Sequence, residues 1–469
     1  MLNKLHLPNW LVGILALVLI LRIPSFFEPY YYGDEMIYLT LGQGIRQGVA
    51  LYSGIYDNKP PLLYLAATVA GNLFWFKAIL TFWSMAAIIA FWKLTKSKIA
   101  SFIFALLITL PLLEGNTVNA EPFLIGLNIL AFFFLLTQKL SVRNLILAGS
   151  FFGLATLFKV PAAFDIPAII LYWLITQGLK NWRKIVKNTL YLTIGFLIPI
   201  FFTFGWFLIG GSLIDYVKAA FLQNIGYVSS WEIKIPFIAR VGATAVFVSL
   251  LALVRRKISK EFLFACLWLT FSLFAVTLSQ RPYPHYLIQS AAPIAILLAM
   301  LFIKKNKEQV LVIIPLTIAL FIPVYYKFYH YDTFAYYQRF INFAVGKIDK
   351  DSYFASFSPD VKRNYEIADF LTKSSFPAER VFVWDTDSPT IYALARRLPP
   401  VKFVADYHVN DYFSRAGLAE ELNNNTPGFI ILTSDHPFPE IMDLIHKEYI
   451  LIAQIENADI YSKLGKTTP

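Results

Sequence analysis

Between residues 9 and 326 the chain repeats one pattern, an apolar run followed by a short polar break. Each run comes close to the ~20 residues that a helix needs to cross ~30 Å of hydrocarbon. In a bilayer core an open backbone amide has no water to bond, so a chain built this way crosses as helices. The runs predict eleven spans, over residues 9–25, 76–93, 98–113, 119–137, 144–158, 161–178, 189–210, 236–254, 261–279, 286–303 and 309–326. Hydrophobic residues make up 57% of the 469-residue chain and charged residues 15%, more apolar surface than a soluble core buries. After residue 326 the sequence turns mixed and polar. The expected fold class is a polytopic α-helical membrane protein, with a membrane body over 1–326 and a small C-terminal extracytoplasmic α/β domain over 327–469.

Charge orients the spans. The net charge of +11 is scattered singly between apolar runs, not gathered into the stripe that nucleic acid would need. Alternate connections hold Lys4; Lys93, Lys96, Lys98; Lys139, Arg143; Lys180, Arg183, Lys184, Lys187; Arg255, Arg256, Lys257, Lys260; and Lys304, Lys305, Lys307. The opposite connections are longer and hold fewer: Arg22, Arg46, Lys59, Lys77, Lys159, Lys218, Lys234, Arg240 and Arg281. The positive-inside rule then predicts a multi-pass plasma-membrane protein with a cytoplasmic N-terminus and an external C-terminal domain. The first run lacks a small-residue cleavage site and is read as an uncleaved span. Residues 60–71 are apolar but too short to cross, and are expected as an interfacial or re-entrant helix. The single cysteine, Cys266, lies in an apolar run and excludes both a disulfide framework and a cysteine-ligated metal.

The first external connection, 26–61, is too polar for lipid and too patterned for a spacer. Tyr30-Tyr31-Tyr32-Gly33 leads to Asp34-Glu35, and the connection closes on Asp57-Asn58-Lys59-Pro60-Pro61. Met36, Ile37, Leu39, Leu41 and Ile45 predict a short surface helix opened by Asp34 as its N-cap, and capping alone would account for that aspartate. Convergence points further, because Glu114, Glu121, Lys159, Arg281 and His285 are all expected on the same face. Charged groups where a membrane core meets water are costly to keep without a purpose. A carboxylate there can act as general base towards a hydroxyl, while lysine and arginine can hold a departing phosphate. Each has a plainer counterpart: Glu121 suits a helix N-terminus, Lys159 can snorkel, and His285 can be an interfacial hydrogen-bonding residue. No histidine pair has ligand spacing, and no metal site is expected.

These segments resemble motifs of the GT-C superfamily of polyprenyl-phosphate-dependent glycosyltransferases, particularly the protein O-mannosyltransferase and aminoarabinose-transferase branch. Asp34-Glu35 is similar to its acidic motif after the first span, Asp57-Asn58-Lys59-Pro60-Pro61-Leu62 to its Lys-Pro-Pro segment, and Ala120-Glu121-Pro122 to its second acidic site. Arg281-Pro282-Tyr283-Pro284-His285-Tyr286, with Pro293 following, resembles its Arg/His-Tyr-Pro element. The likeness covers about residues 1–326. It implies transfer of a sugar from a polyprenyl phosphate or diphosphate to an acceptor hydroxyl outside the cytoplasm, with inversion. By that resemblance Asp34 is the base, supported by Glu35, with Glu121 as second acidic residue. Lys59 and Arg281, with His285 ranked behind them, bind the lipid phosphate. Asp57, Lys159 and Tyr286 are further substrate-binding candidates, and a divalent metal is not expected. The acceptor stays open among glycan, lipid and protein. One departure is plain: the connections have no room for the three-lobed β-rich domain of the protein mannosyltransferases.

In the tail, Arg380–Trp384, Val401–Val404, Phe429–Leu432 and Ile450–Ala453 read as strands of a mainly parallel sheet. Helices are expected at Tyr392–Arg397, Phe413–Leu422 and Glu440–Glu448. Asp385-Thr386-Asp387 mimics a nucleotide-sugar motif, but Asp-x-Asp-Ser-Pro before a helix is explained by capping with proline in the first turn. The connection 211–236, with Asp215, Lys218, Gln223, Asn224, Tyr227 and Trp231, suits a gate or a passive link. Two rival classes remain, a transporter or lipid flippase and a lipid-linked oligosaccharide ligase. The first fits less well, since its site would lie near the midplane on interrupted helices and not at one boundary.

Overall fold

The computed structural model of the chain describes residues 7–227, 235–303 and 307–466. Lys4, Trp231, Lys234, Lys304 and Lys305, assigned to connections from the sequence, lie outside these residues. Helices follow the apolar runs. The first, α1 (Asn9–Arg22), continues as a tight turn to Phe27, and α2 (Gly33–Arg46) and α3 (Leu62–Ala70) occupy the first long connection. Six helices follow: α4 (Leu73–Thr95), α5 (Lys98–Leu107), α6 (Ala120–Thr137), α7 (Val142–Thr156), α8 (Ile166–Gln177) and α9 (Trp182–Ile209). After them α10 (Leu213–Val217) and α11 (Gln223–Tyr227) flank a π-helical turn. The body closes with α12 (Phe237–Val254), α13 (Lys260–Val276), α14 (Ala291–Ile303), α15 (Lys307–Leu311) and α16 (Ile313–Tyr325).

Eight stretches among the described residues are long and apolar enough to cross a membrane: Asn9–Phe27, Leu73–Thr95, Ala120–Thr137, Val160–Gln177, Leu179–Ile209, Phe237–Val254, Pro284–Ile303 and Lys307–Tyr325. The three remaining predicted spans coincide with the shorter helices α5, α7 and α13, of 10, 15 and 17 residues. At 1.5 Å per residue α3 is roughly 14 Å long, too short to cross. Close packing at glycine joins α7 to α9. A Cβ on Gly149 would stand 2.1 Å from the Leu192 carbonyl oxygen, and one on Gly195 2.1 Å from that of Ile146. Small residues that let backbones approach are how helices associate where lipid supplies no hydrophobic drive.

The C-terminal region begins with α17 (Thr333–Ala344), α18 (Lys350–Ala355) and α19 (Val361–Ser374). There follow β1 (Val381–Trp384), α20 (Ser388–Ala395), α21 (Asp406–Tyr412), α22 (Arg415–Asn424), β2 (Phe429–Thr433), α23 (Met442–Glu448), β3 (Tyr449–Ile455) and β4 (Ala458–Lys463). The sheet order is β1-β2-β4-β3; β1 and β2 run parallel, while β2–β4 and β3–β4 are antiparallel. This corrects the mainly parallel expectation. Its cause is β4, a strand not anticipated, which closes a hairpin with β3 through Glu456-Asn457, Glu456 taking the left-handed φ of 52°. Nor is Val401–Val404 a strand of this sheet, since Phe403 instead bridges to Tyr56 in the first connection. Asp387 occupies the N-cap position of α20 without a capping bond, and its carboxylate accepts from Asn364 Nδ2 at 2.8 Å.

One apolar core joins this region to the first connection. Met36, Ile37 and Leu41 of α2 share it with Ile391 and Tyr392 of α20, and the Thr40 hydroxyl donates to the Pro389 carbonyl at 3.2 Å. The C-terminal region is therefore packed directly over α2.

Candidate functional site

A cavity of about 860 Å³ opens where the helix bundle meets this shared core. Its wall takes in Phe164 before α8, Phe237 opening α12, Val276 closing α13 and Tyr329 after α16. Spans that alternate in direction thus all meet the cavity at one end. Their other ends carry Lys93, Lys96 and Lys98, Lys139 and Arg143, Lys180 to Lys187, and Arg255 to Lys260. Eight sequence candidates line the cavity: Asp34, Lys59, Glu114, Glu121, Lys159, Arg281, His285 and Tyr286. Two do not, Glu35 and Asp57.

Asp34 stands in the first turn of α2, where a carboxylate suits the partial positive charge of the helix start. It is not the cap. The N-cap position is Tyr32, with no side-chain capping bond, so capping does not account for this aspartate. Its side chain is 30% exposed to the cavity, Oδ2 accepts from the Tyr38 hydroxyl at 3.0 Å, and Lys59 Nζ lies 3.9 Å away. Glu35, the next residue, points about 100° further round α2, away from the cavity, and is buried. There Lys77 Nζ stands 2.7 Å from Glu35 and 2.8 Å from Glu28, and Glu35 also accepts from the Val118 backbone N–H. Burial, partly offset by Lys77, lifts its carboxyl above the ordinary range. So Glu35 supports the backbone that leads into Glu121 and does not touch Asp34's face of the helix.

Three further acids, Glu121, Glu114 and Asp57, are engaged. Glu121, in the first turn of α6, pairs closely with Lys159, whose Nζ also sits 3.6 Å from the centre of the Tyr286 ring. Glu114, in left-handed conformation after a tight turn, pairs with His285 Nδ1. Burial would raise the Glu114 carboxyl, but the His285 charge and hydrogen bonds from His285, Tyr331 and Tyr32 hold it below its ordinary value. Asp57 is wholly buried behind Lys59, which lies 3.7 Å from it. Burial again acts to raise its carboxyl; Lys59, His408 and Tyr64 outweigh that and keep it well below the carboxylate range.

Sequence reasoning passed over the C-terminal part of this site. Tyr407, Asp411 and Tyr412 of α21 line the cavity, and Tyr412 accepts at its hydroxyl from Asn58 Nδ2 at 2.8 Å. The dense aromatic and polar run Tyr407-His408-Val409-Asn410-Asp411-Tyr412 was the available signal. In the connection 211–236, Asn224 Nδ2 donates to the Asn58 carbonyl at 2.8 Å and Gln223 bonds the Tyr56 hydroxyl, so α11 holds the same segment from the other side.

A multipass helical bundle, a cavity at one end and a small α/β region packed over it make up the fold, and the same fold is found among solved structures. ArnT from Cupriavidus metallidurans bound to undecaprenyl phosphate is similar to this chain, with a TM-score of 0.60 at 13% identity over 98% of each chain. The same protein in the apo state gives 0.58 at 13% identity, over 97% of this chain and 98% of that one. No protein-family model and no curated protein matches the sequence.

Proposed function

We propose that this chain is a membrane glycosyltransferase that moves a sugar from a polyprenyl phosphate to an acceptor hydroxyl on the external face. The observation that carries the reading is Asp34. Among the cavity acids that the body and first connection supply, Asp34, Glu114 and Glu121, it is the one whose contacts are a tyrosine hydroxyl and a lysine at 3.9 Å, whereas Glu121 and Glu114 are each closely paired with a base. The undecaprenyl phosphate held by the similar ArnT supports a lipid of that class for this cavity. The lysine- and arginine-rich ends opposite the cavity support an external site by the positive-inside rule.

In this reading the acceptor hydroxyl stands against Asp34, which takes its proton as the oxygen attacks the anomeric carbon. The bond from that carbon to the phosphate oxygen breaks, and the leaving polyprenyl phosphate keeps the electron pair. Attack opposite the leaving group inverts the centre. Lys59 and Arg281 hold the phosphate as its charge grows, a role that fixed cations fill well in a partly dry cavity. His285, paired with Glu114, backs that wall, and Lys159 over Tyr286 shapes the sugar side.

Asp34→Asn tests the base. The variant is expected to insert and unfold like the wild type and to lose transfer by about 10²-fold or more, the scale of a general-base contribution. Undiminished turnover would remove Asp34 from that role.

A further inference from the structure

We propose that Asn119 and Gln289 recognise hydroxyls of the transferred sugar and thereby select which sugar the cavity accepts. The proposal rests on the reading of this cavity as the site of a polyprenyl-phosphate sugar. Both residues line the cavity, and both are nearly buried, at 1% and 3% exposure. They belong to the segments that build the Glu121–Lys159 pair and its aromatic support. Asn119 lies two residues before Glu121, at the start of α6, and Gln289 lies three residues after Tyr286, whose ring Lys159 covers. The helical turn Pro284–Ser290 that carries Gln289 packs against α6.

Asn119 occupies the N-cap position of α6, where an asparagine ordinarily bonds the first turn, but it makes no capping bond. Its side chain lies beside the Tyr32 hydroxyl, yet among the described residues neither Nδ2 nor Oδ1 has a hydrogen-bond partner in bonding geometry. A buried amide without partners costs free energy that the fold itself does not recover. This one belongs to a cavity wall, so a ligand can supply the missing partners.

Gln289 is oriented by the fold. Its Nε2 donates to the Pro161 carbonyl at 3.1 Å and to Asp165 Oδ1 at 3.2 Å. A carbonyl cannot donate in return, so turning the amide over would set oxygen against oxygen. Asp165, wholly buried, accepts on its other oxygen from Asn128 Nδ2 at 2.7 Å and Trp268 Nε1 at 3.0 Å. With Nε2 committed to acceptors of the body, Oε1 is the atom that Gln289 has for the cavity. Asn119 then offers a donor and an acceptor, and Gln289 a fixed acceptor. A sugar hydroxyl both donates and accepts, and it fits that pair. An ionised phosphate only accepts, finds no partner in Oε1, and is left to Lys59 and Arg281.

Affinities of the full-length protein in lipid nanodiscs for undecaprenyl phosphate, bare and carrying each of a panel of hexoses and pentoses, test this. The wild type is expected to hold at least one sugar-bearing lipid more tightly than the bare one. Asn119→Ala and Gln289→Met are each expected to weaken that lipid about tenfold, the effect of one or two hydrogen bonds, and to leave bare undecaprenyl phosphate unchanged. In the double variant the ranking of the panel is expected to flatten. Where methionine prevents insertion, Gln289→Asn, whose shorter amide withdraws the oxygen, is expected to give the same selective loss. Equal losses for bare and sugar-bearing lipid, or no loss for either, would overturn the proposal. So would a wild type that binds undecaprenyl phosphate but prefers no sugar-bearing form. A wild type that binds none of these lipids would instead remove the reading of the cavity, and the proposal with it.

Discussion

Asp34 and Glu35 are adjacent in the first turn of one helix, yet Asp34 is part-exposed to the cavity and Glu35 is buried. Their proximity to the end of the first span was legible, because a polar pair after an apolar run has few places to go. Which of the two faces the cavity was not, since Lys77 and Glu28 decide it from 42 and 7 residues away in the chain. Glu35→Gln is therefore expected to lower the unfolding temperature while leaving lipid affinity intact; lost turnover with unchanged stability would return Glu35 to the chemistry. Lys77→Met leaves two buried carboxylates to repel each other and should cost about 3–5 kcal/mol, seen as a large fall in thermal stability. Asp57 gives a pH prediction. Its carboxyl is held below the ordinary range, so its stabilisation is present above the unfolded value of about 3.9 and is lost as pH falls through the folded value. Between pH 5 and 8 it should contribute a constant amount, and below about pH 4 Asp57→Asn should lose stability less steeply than the wild type.

Of the eleven apolar runs eight gave stretches long enough to cross a membrane, and three gave the shorter helices α5, α7 and α13, since an apolar run fixes helix in lipid more firmly than it fixes where the helix stops. Elements outside the membrane were less legible. Ala458–Lys463 is a short strand with alternate burial at Ala458 and Ile460, and nothing local separates it from a loop until β2 and β3 pair with it. The segment before α21 looked like a strand because Val401, Phe403 and Val404 are apolar; they are apolar in order to pack against the first connection. Within the bundle the α7–α9 contact is a glycine interface, which composition shows only once the two helices are known to cross. Gly195→Leu is expected to force them apart and cost several kcal/mol by overpacking, measured as loss of folded protein in detergent. A variant as stable as the wild type would mean that the two helices have room to separate.

At the scale of the whole molecule the chain is two-ended. Basic connections gather at one end, and the cavity with the C-terminal region over it sits at the other. Sequence charge anticipated the two ends, and the shared core of α2 and α20 explains why they differ: only one end is roofed. That roof supplies cavity wall from residues about 375 positions beyond the first acidic pair, a convergence no motif spacing announces. The central claim is that this cavity holds a polyprenyl phosphate against Lys59 and Arg281, beside Asp34. Mass spectrometry of lipid that copurifies with the intact protein measures it directly. The account predicts a polyprenyl phosphate, sugar-bearing in the Asp34→Asn variant, and its loss from the Lys59→Ala, Arg281→Ala double variant. Wild-type protein carrying no such lipid, or a double variant carrying it undiminished, would contradict the account.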